Sequence, residues 1–535
     1  MALTLSAMQG ILLMLLVLVA ACALLAERVK VPYPIVLLVA GLGLSFVPHV
    51  PRVPLKPEIV FLVFLPPLLY HSAWLTSWRE FQRNMVSIVM LAVGLVTFTV
   101  VGIALFSDHV IAALDWKSGL VLGAVVATTD AIAATAIGKR IGLPKGVMDL
   151  LEGESLLNDA TGLLALEFGV LIVVQGQTPT VGMAVGRFLW LIVGGVGVGL
   201  VLGALVVWLE RFIDDAPVEI VISLVTPYAA YLIGERIGAS GVLSVVACGL
   251  LVSRKGSQLY SPAARMQLSA VWQSLDFVLN GLVFCLIGLQ LPYVLSGMVR
   301  GYSWVTLVKY GLGFSAVLIV LRLLWMYPAA WVAYAIRTRW LKQQHAQPSV
   351  KGTFVVGWTG MRGVVTLAAA IGLPYQLADG RPFEQRDLIV FLAFCVILVT
   401  LVGQGLTLPM LIRALGMAGV DTEVAEEKKL ARGTALEAAV AWLNEERAKA
   451  EMASWPIFDN MLKTYESRLK VLCKAEPGES GTQTAKVQEL VRGAARQQRH
   501  ALLRLRAEGR VGDEAMRAVE RELDLMETRL DTANS

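Results

Sequence analysis

The residues of this 535-residue chain that could do chemistry gather at a few points inside otherwise apolar sequence. The densest point is Gly153-Glu154-Ser155-Leu156-Leu157-Asn158-Asp159-Ala160, in an apolar stretch that continues to Val174. Helical geometry puts residues four apart on one face, so Glu154 aligns with Asn158 and Ser155 with Asp159. Two carboxylates, an amide and a hydroxyl then form two adjacent stripes. Oxygen donors of this kind suit hard cations, and a carboxyl group removed from water is also a place where a proton can sit. Glu152 and Glu154 have a plainer reading, as first-turn acids that complement a helix N-terminus. Asp159 lies too far into the helix for that; its structural alternative is a buried ion pair.

Two further segments break apolar runs in the same way. Ala127-Thr128-Thr129-Asp130-Ala131 places side chains that compete for backbone hydrogen bonds in the middle of a hydrophobic stretch, where a local break would free carbonyls and a carboxylate to face a cavity. Gly357-Trp358-Thr359-Gly360-Met361-Arg362-Gly363 surrounds an arginine with glycines. A guanidinium cannot lose its charge, so a carboxylate is expected beside it. Glu154 is the candidate, because a Glu154–Arg362 pair leaves Asp159 as the unpaired acid. Arg322 and Lys309 are further charges within apolar runs, and Lys309 is placed to snorkel.

The elements that must position these groups follow from composition. Apolar residues make up 56% of the chain and charged residues 16%, against about 25% in an average soluble protein. The charge is concentrated at one end: residues 421–535 hold 19 of the 46 basic and 21 of the 41 acidic groups. A membrane domain over 1–415 followed by a soluble segment over 421–535 is therefore expected. A bilayer needs roughly 17 to 25 apolar residues per helix, and the apolar runs predict about thirteen spans: 7–25, 32–47, 58–76, 85–107, 117–137, 148–174, 185–209, 217–234, 240–253, 269–290, 303–336, 352–372 and 387–413. The run at 240–253 is short enough to be broken or tilted. With an odd count and the tail in the cytoplasm, the inner loops hold 15 basic residues, from Arg28 to Lys351, and the outer loops 6, which is the bias of the positive-inside rule. The first run, Leu5 to Leu25, lacks a basic leader and a clear cleavage site, so it reads as a retained span.

The interrupted spans are the fifth and the twelfth. With the seventh as pivot they occupy matching positions in two halves, the pattern of inverted repeats around a site near the membrane midplane. The tail reads as helical: Ala515, Val519, Leu523, Met526 and Leu530 form one apolar stripe, and residues 475–485 read as a linker. A regulatory or dimer-packing appendage is the expectation there.

Several classes are excluded. Five cysteines, four of them in apolar runs, suggest no disulfide framework. The histidines His49, His71, His109, His345 and His500 are scattered and none pairs with a cysteine at ligand spacing, so no resident metal and no cofactor is expected. A net charge of +5 spread over short loops argues against nucleic acid. No Gly-x-x-x-x-Gly-Lys-Ser/Thr segment supports ATP-driven pumping. Gly194-Gly195-Val196-Gly197-Val198-Gly199 lies inside an apolar span, where small residues serve close helix packing.

Glu154-Ser155-Leu156-Leu157-Asn158-Asp159-Ala160 with Gly153, the Thr129-Asp130 pair, Phe64-Leu65-Pro66-Pro67-Leu68-Leu69-Tyr70 and Gly360-Met361-Arg362-Gly363 together resemble the monovalent cation:proton antiporter-1 family, the sodium/proton exchangers, over about residues 10 to 415. The resemblance implies an all-α polytopic fold of thirteen helices with inverted repeats, two broken helices crossing beside the site, and a homodimer in the bacterial inner membrane. It implies a secondary antiporter rather than an enzyme, with Asp159 as the carboxylate that alternately holds H+ and the transported alkali cation. Asn158 matches the form associated with electroneutral exchange, and Glu154 with Arg362 the structural ion pair. Ser155, Asp130 and the carbonyl of Thr129 match positions that help to coordinate the ion. Two positions depart from the usual pattern: Ala131 stands where many members have proline, and His71 where others have glutamate, which removes one acid and leaves ion preference open. Na+ and Li+ are the expected cations; a K+/H+ antiporter of the same fold, a passive cation channel and a membrane sensor signalling through its tail are the alternatives.

Overall fold

The computed structural model of the protein describes residues 5–48, 55–111, 114–176, 180–260, 262–298, 303–343, 347–419, 422–449 and 456–474, together with position 498. In apolar surroundings every backbone N–H and C=O must be satisfied within the chain, which leaves helices as the natural outcome for long apolar runs. The helices follow in order: α1 (Leu5–Val29), α2 (Tyr33–Ser45), α3 (Pro57–Leu75), α4 (Trp78–Ser107), α5 (Trp116–Ala127), α6 (Ile132–Ile141), α7 (Lys145–Val174), α8 (Val181–Leu209) and α9 (Ala216–Arg236). They continue with α10 (Gly241–Leu259), α11 (Pro262–Leu289), α12 (Leu291–Met298), α13 (Trp304–Arg339), α14 (Val350–Trp358), α15 (Val364–Ile371) and α16 (Arg386–Ala414). Helices α17 (Thr422–Lys449) and α18 (Pro456–Lys474) complete the described chain. No strand occurs among the described residues.

Ten helical stretches among the described residues are long and apolar enough to cross a membrane. The other three expected spans fall on α2, which is only 13 residues long, on α10, and on the broken pair α14–α15. Ten of the thirteen expected spans thus coincide with full-length apolar helical stretches among the described residues, and the other three fall on shorter or broken ones. Residues 1–421 and 422–535 form two separate compact units. In the second, α17 and α18 pack on each other; the expected linker at 475–485 and the stripe from Ala515 to Leu530 lie outside the described residues.

Proline chemistry shapes the wall of the later site. Pro66 and Pro67 have no N–H to return to the carbonyls one turn back, and α3 answers with a wider π-helical turn over Val60–Phe64. Two more π-helical turns, Met90–Leu95 in α4 and Val399–Gln404 in α16, leave carbonyls that side chains take up. Thr161 donates to the Ala92 carbonyl at 2.5 Å, and the Trp325 indole to the Met90 carbonyl at 3.1 Å.

Helices α2 and α11 meet closely enough that their backbones touch, which small residues allow. A Cβ built on Gly288 of α11 would fall against the backbone of α2 at Leu38 and Leu42. Gly288→Leu is expected to overpack this crossing and cost about 1–3 kcal/mol, read as a fall in the melting temperature of the detergent-purified protein. Gly43 of α2 has open space around its own Cβ position, so Gly43→Leu should leave that temperature unchanged; an equal shift in both variants would contradict the close-packing argument.

Candidate functional site

Two helices stop at mid-depth and restart, and the two gaps lie against each other. Residues 128–131 separate α5 from α6, and residues 359–363 separate α14 from α15. The Asp130 amide donates to the Met361 carbonyl at 2.8 Å, and the Thr128 and Thr366 hydroxyls stand 3.0 Å apart. Each break exposes a helix C-terminus with free carbonyls and an N-terminus with free amides, the ends of two macrodipoles. The side chains at the crossing match those ends in sign. Arg362 donates through Nε to the Val126 carbonyl at the end of α5, at 3.0 Å, and through Nη1 to the Gly360 carbonyl. Arg322 donates to the Gly357 and Val356 carbonyls at the end of α14, each at 3.1 Å. Asp130 accepts the Ile132 amide at the start of α6, at 2.8 Å. The same carboxylate lies so close to Gly363, at the start of α15, that a Cβ there would collide with it.

Helix α7 supplies the remaining groups. Glu154 is 1% exposed and holds Arg322 in a bidentate pair, Oε1–Nη1 at 2.5 Å and Oε2–Nη2 at 2.8 Å. The Thr129 hydroxyl donates to Glu154 Oε1 at 3.1 Å and accepts from Asn158 Nδ2 at 2.5 Å. Ser155 donates to the Thr129 carbonyl at 3.1 Å. Thr129, Ser155, Asn158 and Glu154 thus form one network that ties α7 to the first break.

Asp159 stands apart from it. The residue is 6% exposed, yet it takes no hydrogen bond and no ion pair from any described residue. It faces a cavity of about 440 Å³ that also reaches Asp130, Thr129 and Ser155 at one end and Lys139 and Glu152 at the other. Lys139 is well exposed and lies 3.9 Å from Glu152, so the cavity opens toward that side of the molecule. A larger cleft of about 620 Å³ between α7, α8 and α10 is lined almost wholly by apolar groups and touches none of these carboxylates. It offers no carboxylate to an ion.

The expected residues therefore assemble, with one correction. The ion-pair partner of Glu154 is Arg322 and not Arg362. Arg362 meets its charge requirement from carbonyl dipoles, and α13 carries Arg322 to both the end of α14 and the face of α7. The break after Thr129-Asp130 forms without a proline at 131: Ala131 is the first residue back in helical conformation, and its amide reaches Ser155 Oγ at 3.4 Å.

Asp276 on α11 was not singled out from the sequence, although it lines the same cavity. Its carboxylate Oδ1 lies 3.3 Å from His71 Nδ1, so the position where histidine replaces the expected glutamate has an acid beside it. The signal was available, because Asp276 is the one charged residue in the expected span 269–290.

Two broken helices crossing over a set of carboxylates and hydroxyls, beside a cavity that reaches those groups, are the arrangement of a secondary transporter for a small cation. Residues 13–414 match the family described as sodium/hydrogen exchanger, transmembrane. An uncharacterised Na+/H+ exchanger of Mycobacterium bovis is 33% identical over 95% of this chain and 93% of its own. The sodium, potassium, lithium and rubidium/H+ antiporter of Bacillus pumilus is 31% identical over 88% of this chain and 70% of its own, and the Na+/H+ antiporter ApNhaP of Aphanothece halophytica 33% identical over 78% and 76%. The sodium proton antiporter MjNhaP1 of Methanocaldococcus jannaschii shares the fold, with a TM-score of 0.56 at 20% identity over 76% of this chain and 98% of that one. The chain belongs to the sodium/hydrogen exchanger family, whose members are antiporters and not enzymes.

The corrected pairing has a direct test. Removing one partner of a buried ion pair costs about 3–5 kcal/mol because the other is left charged and alone. Arg322→Ala should lower thermal stability sharply, and adding Glu154→Gln should recover part of that loss. Glu154→Gln should not rescue Arg362→Ala; if it does, the pairing is misassigned.

Proposed function

We propose that this protein exchanges Na+, and Li+ as a similar hard cation, for H+ across the membrane, with Asp159 holding the two in turn. The single observation that carries this reading is the isolation of Asp159: a buried carboxylate with no hydrogen bond or ion pair to any described residue, facing a cavity. A carboxyl group leaving water gives up part of its preference for the ionised form, so a proton and a partly dehydrated alkali ion compete for it on comparable terms. Ser155, Asp130 and the Thr129 carbonyl are the oxygen donors nearest along the cavity. Asn158 shares the network and adds no charge. One proton then replaces one cation and no net charge moves.

Loop charge puts Lys139 and Glu152 on the cytoplasmic side, so the cavity corresponds to an inward-facing state. Alternating access moves the crossing helices with α7 as a block against the rest, carrying whichever ion occupies Asp159. Glu154–Arg322 holds that block together and does not take part in the exchange. A homodimer in a bacterial inner membrane, with residues 421–535 as a cytoplasmic regulatory tail, completes the proposal. The relatives are named for sodium, and the Bacillus pumilus protein for potassium as well, so K+ transport is a variant of the same reading rather than a rival to it.

Proteoliposomes with an imposed pH gradient and an internal pH dye provide the test. Na+ added outside should release protons from wild-type vesicles without any voltage requirement, and Asp159→Asn should abolish this while the protein stays monodisperse. Retained Na+-dependent proton movement in Asp159→Asn would refute the assignment. Current under voltage with no coupling to the pH gradient would point to a channel.

A further inference from the structure

We infer that Asp276, held in place by His71, is a second cation-binding carboxylate in the cavity, which receives the incoming alkali ion before Asp159 does. The inference rests on the antiport reading above and adds a residue and a step to it. Three observations carry it.

The first is placement. Asp276 lies on α11, outside the crossing helices and outside α7, yet it shares one cavity with Asp130 and Asp159. Its side chain is 31% exposed, whereas the Asp159 residue is 6% exposed. An ion coming through the open side therefore meets a wetter carboxylate and a drier one in the same space. Partial hydration suits a waiting position, where the ion keeps most of its water, and it suits final coordination less.

The second is orientation. His71 Nδ1 approaches Asp276 Oδ1 at 3.3 Å. The imidazole is itself fixed, stacked on Trp272 with planes 6° apart and centroids at 5.7 Å. Trp272 is fixed in turn by its indole N–H, which donates to Ser223 at 2.6 Å. This chain of contacts holds one carboxylate oxygen and leaves Oδ2 for a ligand.

The third is charge balance. The carboxylates lining the cavity are Asp130, Asp159, Asp276 and Glu152, and the basic groups are Lys139 and His71. Lys139 is placed on Glu152 and Asp130 on the helix N-termini. Asp159 has no partner among the described residues and Asp276 has the imidazole of His71 at one oxygen only, so both present acid to the cavity and their field draws cations into it.

The test measures the Na+ dependence of exchange in proteoliposomes. Asp276→Asn should raise the KM for Na+ at least fivefold and leave the maximal rate within about twofold. Asp276→Glu should restore a near wild-type KM. Gln273→Lys places a positive charge in the same cavity without touching the His71 contact, and it should raise KM as well; this variant keeps the test sound if Asp276→Asn fails to fold. The readout that a structural role would not move is Na+ binding by purified Asp159→Asn protein, followed as Na+-induced thermal stabilisation. Stabilisation should persist in Asp159→Asn and vanish in the Asp159→Asn/Asp276→Asn double variant. An unchanged KM in both Asp276→Asn and Gln273→Lys, with wild-type exchange intact, overturns the inference. Absence of exchange in the wild type itself would instead overturn the antiport reading.

Discussion

Four half-helix ends meet at one depth inside this protein, and each carries part of a charge that an apolar interior does not tolerate. Everything else at the site follows from how those ends are answered. Arg362 and Arg322 take the two carbonyl ends, and Asp130 accepts an amide at the start of α6 while its carboxylate lies against Gly363 at the start of α15. With those ends matched, Asp159 is left without a fixed partner among the described residues, which is what the proposed exchange requires of it. A buried carboxylate that also had to compensate a helix end or a guanidinium would be a structural group and not a carrier.

The Glu154–Arg322 pair shows the cost of such a design. Burying two charges rarely adds stability over apolar packing, although breaking the pair is expensive. Its value here is positional. Arg322 reaches the carbonyls of α14 while Glu154 reaches Thr129 through its hydroxyl. One ion pair thereby joins α13, α7 and both broken helices. The network leaves one buried atom unanswered: Asn158 Oδ1 has no partner among the described residues. An orphaned acceptor next to the proposed carrier is where a hydrated ion or an ordered water would find a ligand.

His71 and Asp276 illustrate how a substitution at one position is read differently once the neighbour is known. Taken alone, a histidine where an acid is usual subtracts a negative charge. Set against α11, the same histidine lies 3.3 Å from an acid supplied by another helix, so the cavity keeps a carboxylate at that place.

The class of the protein, its helical membrane architecture and most residues of the candidate site were legible in the sequence. Charge in apolar sequence is too costly to be incidental, so Asp130, Glu154, Asp159, Arg322 and Arg362 identified themselves, and helical spacing alone put Ser155, Asn158 and Asp159 on one helix. The breaks too were visible, in Thr-Thr-Asp and in a glycine-flanked arginine. Partnership across the fold was not. Glu154 and Arg322 are 168 residues apart and His71 and Asp276 over 200, and nothing local distinguishes Arg322 from Arg362 as a counter-ion for Glu154. That choice depends on where α13 passes and on carbonyl ends that exist only once both helices have broken and crossed. Tertiary structure made it, because a guanidinium can be satisfied by dipoles as well as by a carboxylate, and only geometry says which it meets.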